Sequence, residues 1–89
     1  MPIAKVANDE EQALLKCEAM IYADPKNPDL YLKYGDLLCL TKNYRGGIKA
    51  LSKSVKLSPG NPIPLYHLAN VYYILKDYSA AIEHYRKSL

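Results

Sequence analysis

Apolar side chains return at helical spacing along nearly the whole of this sequence. Leu30, Tyr31, Tyr34, Leu37 and Leu38 lead to Thr41 in steps of three and four, which lines one face of a helix. Lys42-Asn43 interrupts that run, and a second stripe follows through Ile48, Leu51, Val55 and Leu57. Ser58-Pro59-Gly60-Asn61-Pro62 ends it, because proline has no N–H for a helix and glycine and asparagine accept positive φ. Upstream, Ala13, Leu14, Cys17, Met20 and Ile21 share a helical face, and Asn8 or Asp9 can cap its start. Asp9, Glu10 and Glu11 suit the positive end of that helix, which stops before Asp24-Pro25-Lys26-Asn27-Pro28. The pattern predicts five helices, near 9–23, 29–41, 44–57, 63–75 and 78–88, with alternate helices antiparallel, short connections and no strand.

The pattern also repeats at an offset of 34 residues. Pro25 falls on Pro59, Asn27 on Asn61, Pro28 on Pro62, Lys42 on Lys76, Tyr44 on Tyr78 and Ile48 on Ile82. Gly35, Gly47 and Leu51 fall on Ala69, Ala81 and Tyr85. A fixed period of this size marks a stacked array, in which no single helix pair can bury its apolar face alone. The unit resembles the tetratricopeptide repeat. It reads Tyr31-x2-Tyr34-Gly35-x2-Leu38, then Gly47-x3-Leu51 and Pro59, and again Leu65-x2-Leu68-Ala69-x2-Tyr72, then Ala81-x3-Tyr85. Tyrosine or leucine stands where that signature carries tryptophan or phenylalanine. The resemblance implies an all-α fold of antiparallel helix pairs stacked as an α-solenoid, about two and a half units long. Those units are a flexible segment over 1–8, a partial repeat over 9–27 with only its second helix, a complete repeat over 28–61, and a second repeat over 62–89 that is truncated at its C-terminal end.

Gly35, Gly47, Ala69 and Ala81 are small where two helix backbones are to approach closely, with tyrosine and leucine filling the grooves beside them. Gly46 and Gly47 each cost a helix interior up to ~1 kcal/mol relative to alanine. By alignment with Ala80 and Ala81, Gly46→Ala is expected to stabilise and Gly47→Ala to be tolerated where a methyl fits.

Composition narrows the function classes. The 89 residues are 49% hydrophobic and 24% charged, an ordinary balance for one globular domain. A net charge of +3 is too weak and too evenly spread to imply nucleic acid, with no basic stripe interleaved with aromatics on one face. No apolar run reaches membrane-spanning length and the first residues lack a secretory core, so a cytoplasmic location is expected, with no membrane partner. Cys17 and Cys39 lie on apolar stripes without ligand-spaced partners and read as core, not as zinc ligands or a disulfide. His67 and His84 lack a visible acid–base partner, and Gly46-Gly47 lies within a helical pattern, unlike a phosphate loop. The sequence offers no catalytic, cofactor or metal site.

What remains is a surface. In the tetratricopeptide family the first helix of each pair lines the inner, concave face and holds extended peptides. By that resemblance the lining is Leu32, Lys33 and Asp36 with Cys39 or Leu40, then Tyr66, His67, Asn70 and Tyr73 with Ile74. Asn70 can donate to and accept from a peptide backbone, and Tyr66 and Tyr73 offer apolar area with a polar tip. Members that grip a chaperone's C-terminal carboxylate carry lysine and asparagine one turn apart on a first helix. Here Leu32 and Asp36, or Ile63 and His67, hold those positions, and Asp36 repels a carboxylate. The other reading is a structural self-assembly module, a homo-oligomer joined through terminal helices by Leu14 and Ile21 at one end and Ile82, Tyr85 and Leu89 at the other.

Overall fold

A computed structural model describes residues 8–89. The expected flexible segment over 1–8 therefore lies, apart from Asn8, outside the described residues. Five helices follow in order: α1 (Asp9–Ala23), α2 (Pro28–Leu40), α3 (Tyr44–Leu57), α4 (Pro62–Ile74) and α5 (Tyr78–Ser88). No strand occurs among the described residues. The bounds of α1, α3 and α5 are those the pattern predicts. α2 and α4 start and stop one residue early, because Asn27 and Asn61 act as N-caps and place Pro28 and Pro62 at the first helical position. A proline costs nothing there, since that N–H has no intrahelical partner.

The helix ends follow a common chemistry. Asn8, Asn27, Asn43, Asn61 and Asp77 each accept a backbone N–H of the following helix on a side-chain oxygen, at 2.8 to 3.2 Å. α2 and α4 close in the same way at their far ends. Lys42 N–H donates to the Cys39 carbonyl and Asn43 N–H to that of Leu38, while Lys76 donates to Tyr73 and Asp77 to Tyr72. This double bond pattern puts the residue after the C-cap in the left-handed region, and Lys42 and Lys76 sit there at φ 65 and 64. The next residue, Asn43 or Asp77, then caps the following helix, so a three-residue link suffices to fold it back.

α2 packs along α3 and α4 along α5, α3 joins the two pairs by packing on α4, α2 also touches α4, and α1 packs on α2. Leu51, Leu68 and Val71 form the buried centre where the pairs meet, with Leu32, Cys39, Tyr44, Ile48, Val55 and Tyr72 packed around it. Ser54 is buried too, and its hydroxyl is satisfied by donating to the Pro28 carbonyl at 2.9 Å. The described residues span 54 × 30 × 14 Å. Their radius of gyration of 14.4 Å exceeds the roughly 12 Å of a compact globule of this length, as side-by-side stacking requires.

The glycines correct one expectation. A Cβ at Gly47 falls on Cys39 Sγ and lies 3.1 Å from the Gly35 carbonyl oxygen, so a methyl does not fit. A Cβ at Gly35 in turn meets Leu51 Cγ at 2.7 Å. The α2–α3 crossing is thus built on a glycine pair where the α4–α5 crossing uses Ala69 and Ala81. At Gly46 the nearest atoms are those of the Asn43 cap, at 2.9 to 3.1 Å.

Candidate functional site

The face shared by α2 and α4 carries the residues expected to line the inner surface. Asp36 and His67 meet across it, with Oδ1 3.7 Å from Nδ1, an ion pair whenever the imidazole is protonated. Lys33 is exposed one turn before Asp36. Tyr66 is half exposed and stands edge-on to His67 and to Tyr85, with ring centroids 6.2 and 5.8 Å away. Tyr73 is exposed by 60% and rests edge-on against Tyr78 at 5.6 Å. Tyr66, Asn70 and Tyr73 follow one another at i, i+4 and i+7 and so form one stripe.

Asn70 is not free to turn. The Tyr85 hydroxyl donates to its Oδ1, which directs Nδ2 as the group left to donate. That nitrogen can donate to a carbonyl oxygen. Leu32 and Cys39, by contrast, are drawn inward against the Leu51, Leu68 and Val71 centre. Burial, and then the Asp36 carboxylate, push the Cys39 thiol above its ordinary value. Leu40, Ile63 and Ile74 are exposed large apolar groups at or beside this face, and the sequence reading gave them less weight than their exposure warrants.

The end residues divide in a similar way. Leu14 and Ile21 are half-buried, and Leu14 borders a hollow with Leu40, Thr41 and Lys42. Tyr85 is half-buried too, held by Asn70. Ile82 and Leu89 are exposed. On α1 the exposed apolar groups are Leu15, Met20 and Tyr22, the last by 91%. The sequence reading missed these three as surface groups. Leu15 and Tyr22 are seven apart, a stripe of their own beside the one that packs on α2.

His67 gains in Asp36 a partner that the sequence did not show. His84 is half-buried with its ring 5.0 Å from that of Tyr72, and Nδ1 donates to the Ala80 carbonyl at 2.7 Å. Among the described residues no group of three or more His, Cys, Asp or Glu side chains can hold a metal ion. None of the described helices is long and apolar enough to cross a membrane.

A sequence profile of the anaphase-promoting complex, cyclosome, subunit 3 family matches residues 7–88. The chain belongs to this family. Its five helices and tetratricopeptide-like repeat are those of a helical-repeat scaffold. A weaker likeness links it to mouse (Mus musculus) Superkiller complex protein 3, at 28% identity over 80 residues. That stretch covers 90% of this chain and 5% of the mouse protein, so the chain spans about a twentieth of that relative's length. Domains of this repeat type generally mediate protein–protein interactions.

Proposed function

We propose that the chain is a non-catalytic adaptor that holds an extended segment of a partner protein on the α2/α4 face. The observation that carries this reading is the Tyr66, Asn70, Tyr73 stripe. Two exposed tyrosines flank an amide whose donor is directed by Tyr85 and whose neighbours include the Asp36–His67 pair. Helix packing alone does not ask for such a combination. The matching positions on α2 are Leu32, Asp36 and Cys39, two of which serve the core. An extended segment would lay a backbone carbonyl on Asn70 Nδ2 and apolar side chains on the tyrosine rings. The names of the family and of the mouse relative each describe a part of a multi-protein complex, which favours a protein partner over a small molecule. The same reading divides the chain into a partial unit over 9–27 and units over 28–61 and 62–89, and places it in the cytoplasm.

The test is selection of peptide ligands from a random library, followed by affinity measurement on Asn70→Ala, Tyr73→Ala and the double variant. The double variant is expected to bind at least tenfold more weakly while keeping the helical circular-dichroism spectrum of the parent, at a lower unfolding midpoint because the Tyr85 and Tyr78 contacts are lost. Ligands that bind all variants alike would end the reading.

A second reading rests on the exposed apolar groups at the two ends, Leu15 and Tyr22 on α1, Ile82 on α5 and Leu89 just after it. Contact between copies through these groups would cover them, as adjacent repeats do. Sedimentation over a wide concentration range checks it, and a monomer at every concentration would refute it.

A further inference from the structure

Half a turn around α2 from Lys33, Asp36 and Leu40 lies a second surface. There a groove of about 740 Å³ opens between α2 and α3. Tyr31, Tyr34 and Leu38 of α2 form its floor with Val55 of α3, and Lys49, Lys53 and Lys56 line the α3 side. Both tyrosine hydroxyls are already engaged, Tyr31 donating to the Pro25 carbonyl and Tyr34 to Glu18 Oε1, each at 2.8 Å. The rings therefore offer their apolar surface. The three lysines are exposed and form no salt bridge among the described residues. With Arg45 one turn earlier they make a continuous basic row along α3.

The repeat does not demand that row. Thirty-four residues upstream its lysine positions hold Leu15, Ala19 and Tyr22, and downstream they hold Glu83 and Lys87, which pair with each other at 3.0 Å. The basic wall is a property of this one groove.

We propose that the α2–α3 groove docks an acidic segment of a partner protein, which seats an aliphatic or aromatic side chain on the tyrosine–leucine floor while its carboxylates meet Lys49, Lys53 and Lys56. This site is separate from the α2/α4 face. Apolar floor and unpaired cations together fit a peptide of mixed character. A nucleic acid could stack bases on the tyrosine rings, but Leu38 and Val55, which share the floor, offer its bases no stacking partner. Three cations alone would also leave its binding weak at physiological salt.

The probe is a fluorescein-labelled synthetic peptide of glutamates carrying two leucines and a tyrosine, followed by anisotropy. The comparison probes are the same peptide with glutamine for glutamate, a glutamate-only peptide, and single-stranded oligothymidylate. The triple variant Lys49→Gln, Lys53→Gln, Lys56→Gln changes only exposed side chains and should stay folded by circular dichroism. It is expected to bind the mixed peptide about tenfold more weakly, the sum of three exposed charge pairs. The glutamine and glutamate-only peptides should lose at least as much, and added salt should weaken binding to the parent protein. Asn70→Ala with Tyr73→Ala should leave this binding unchanged. Four results would overturn the proposal: no binding of the mixed peptide at millimolar protein, equal binding by the triple variant, oligothymidylate binding as tightly as the peptide, or loss of peptide binding in the Asn70/Tyr73 variant.

Discussion

Gly46 and Gly47 are neighbours on α3, yet alanine should act on them in opposite directions. At Gly46 the added methyl comes closest to the side chain of the Asn43 cap, whose Oδ1 accepts Gly46 N–H at 3.0 Å. The chain already contains the answer to that contact. At the equivalent point of α5, Asp77 caps Ala80 N–H at 3.2 Å with the methyl in place. A shift of a few tenths of an ångström is enough, and alanine then gains part of the ~1 kcal/mol that separates it from glycine in a helix. At Gly47 the same gain is opposed by a methyl placed on Cys39 Sγ and tight against the Gly35 carbonyl. Forcing such a contact costs roughly 1–3 kcal/mol.

The net expectation is that Gly46→Ala stabilises by about 0.5 kcal/mol and Gly47→Ala destabilises by about 1 kcal/mol. In a domain of this size that separates the two melting temperatures by on the order of 10 °C. Thermal melts followed by circular dichroism read it directly. Because the worst contact is a side-chain sulfur, Gly47→Ala should cost less in a Cys39→Ala background, and the difference is the coupling between the two sites. The Gly35 carbonyl is backbone, so part of the cost should persist. A Gly47→Ala protein that melts above the parent would refute the reasoning, since it would mean that α2 and α3 separate at no cost.

Other outcomes follow from single features. Lys42→Gly and Lys76→Gly each remove a side chain from a left-handed position and should stabilise by up to ~1 kcal/mol, less the added freedom of the unfolded chain, in urea titrations. Burial, and the hydrogen bond it donates to Glu18, push Tyr34 up to about 12 from 10.0. The folded state thus keeps a proton that the unfolded chain releases, so this stabilisation is complete below about pH 10 and is lost between pH 10 and 12. Over that window Tyr34→Phe should lose less stability than the parent, by urea midpoints at each pH. Leu51, fully buried, should cost about 2–5 kcal/mol as Leu51→Ala, whereas Leu15→Ala on the exposed side of α1 should stay within about 0.5 kcal/mol in the same titration.

The fold was legible because the features that set it are local. Capping side chains at Asn27, Asn43, Asn61 and Asp77, prolines at Pro28 and Pro62, and apolar steps of three and four each act within one turn. The one-residue offsets of α2 and α4 arise where Asn27 and Asn61, not the residues after them, take the capping role. The surface was less legible because its properties depend on contacts between helices. Nothing in the order of residues joins Asn70 to Tyr85, or shows that Leu32 turns toward Leu68 and Val71. The row Arg45, Lys49, Lys53, Lys56 was present in the sequence at helical spacing. Its aromatic neighbours, Tyr31 and Tyr34, belong to α2, so the basic stripe beside aromatics that was absent along any one helix appears once α2 and α3 pack.

The two helix pairs can also be set against each other, position by position, to separate what the repeat requires from what this chain adds. Lys42 and Lys76 share one strained backbone conformation, Asn43 and Asp77 one capping role, and Pro28 and Pro62 one place in the first turn. Agreement of that kind marks scaffold. Disagreement at a buried site marks alternative packing, as with Gly35 and Gly47 against Ala69 and Ala81, where tighter helices admit less side chain. Disagreement at an exposed site has no packing to explain it. Lys33 against His67 and Asp36 against Asn70 are partly so, since His67 and Asn70 are half-buried and Tyr85 holds Asn70, and Lys49 against Glu83 is wholly of this last kind. They fall on two faces, the first two on the α2/α4 surface and the third on the wall of the α2–α3 groove. Those two faces lie on opposite sides of α2, so a segment held on one need not exclude a segment held on the other.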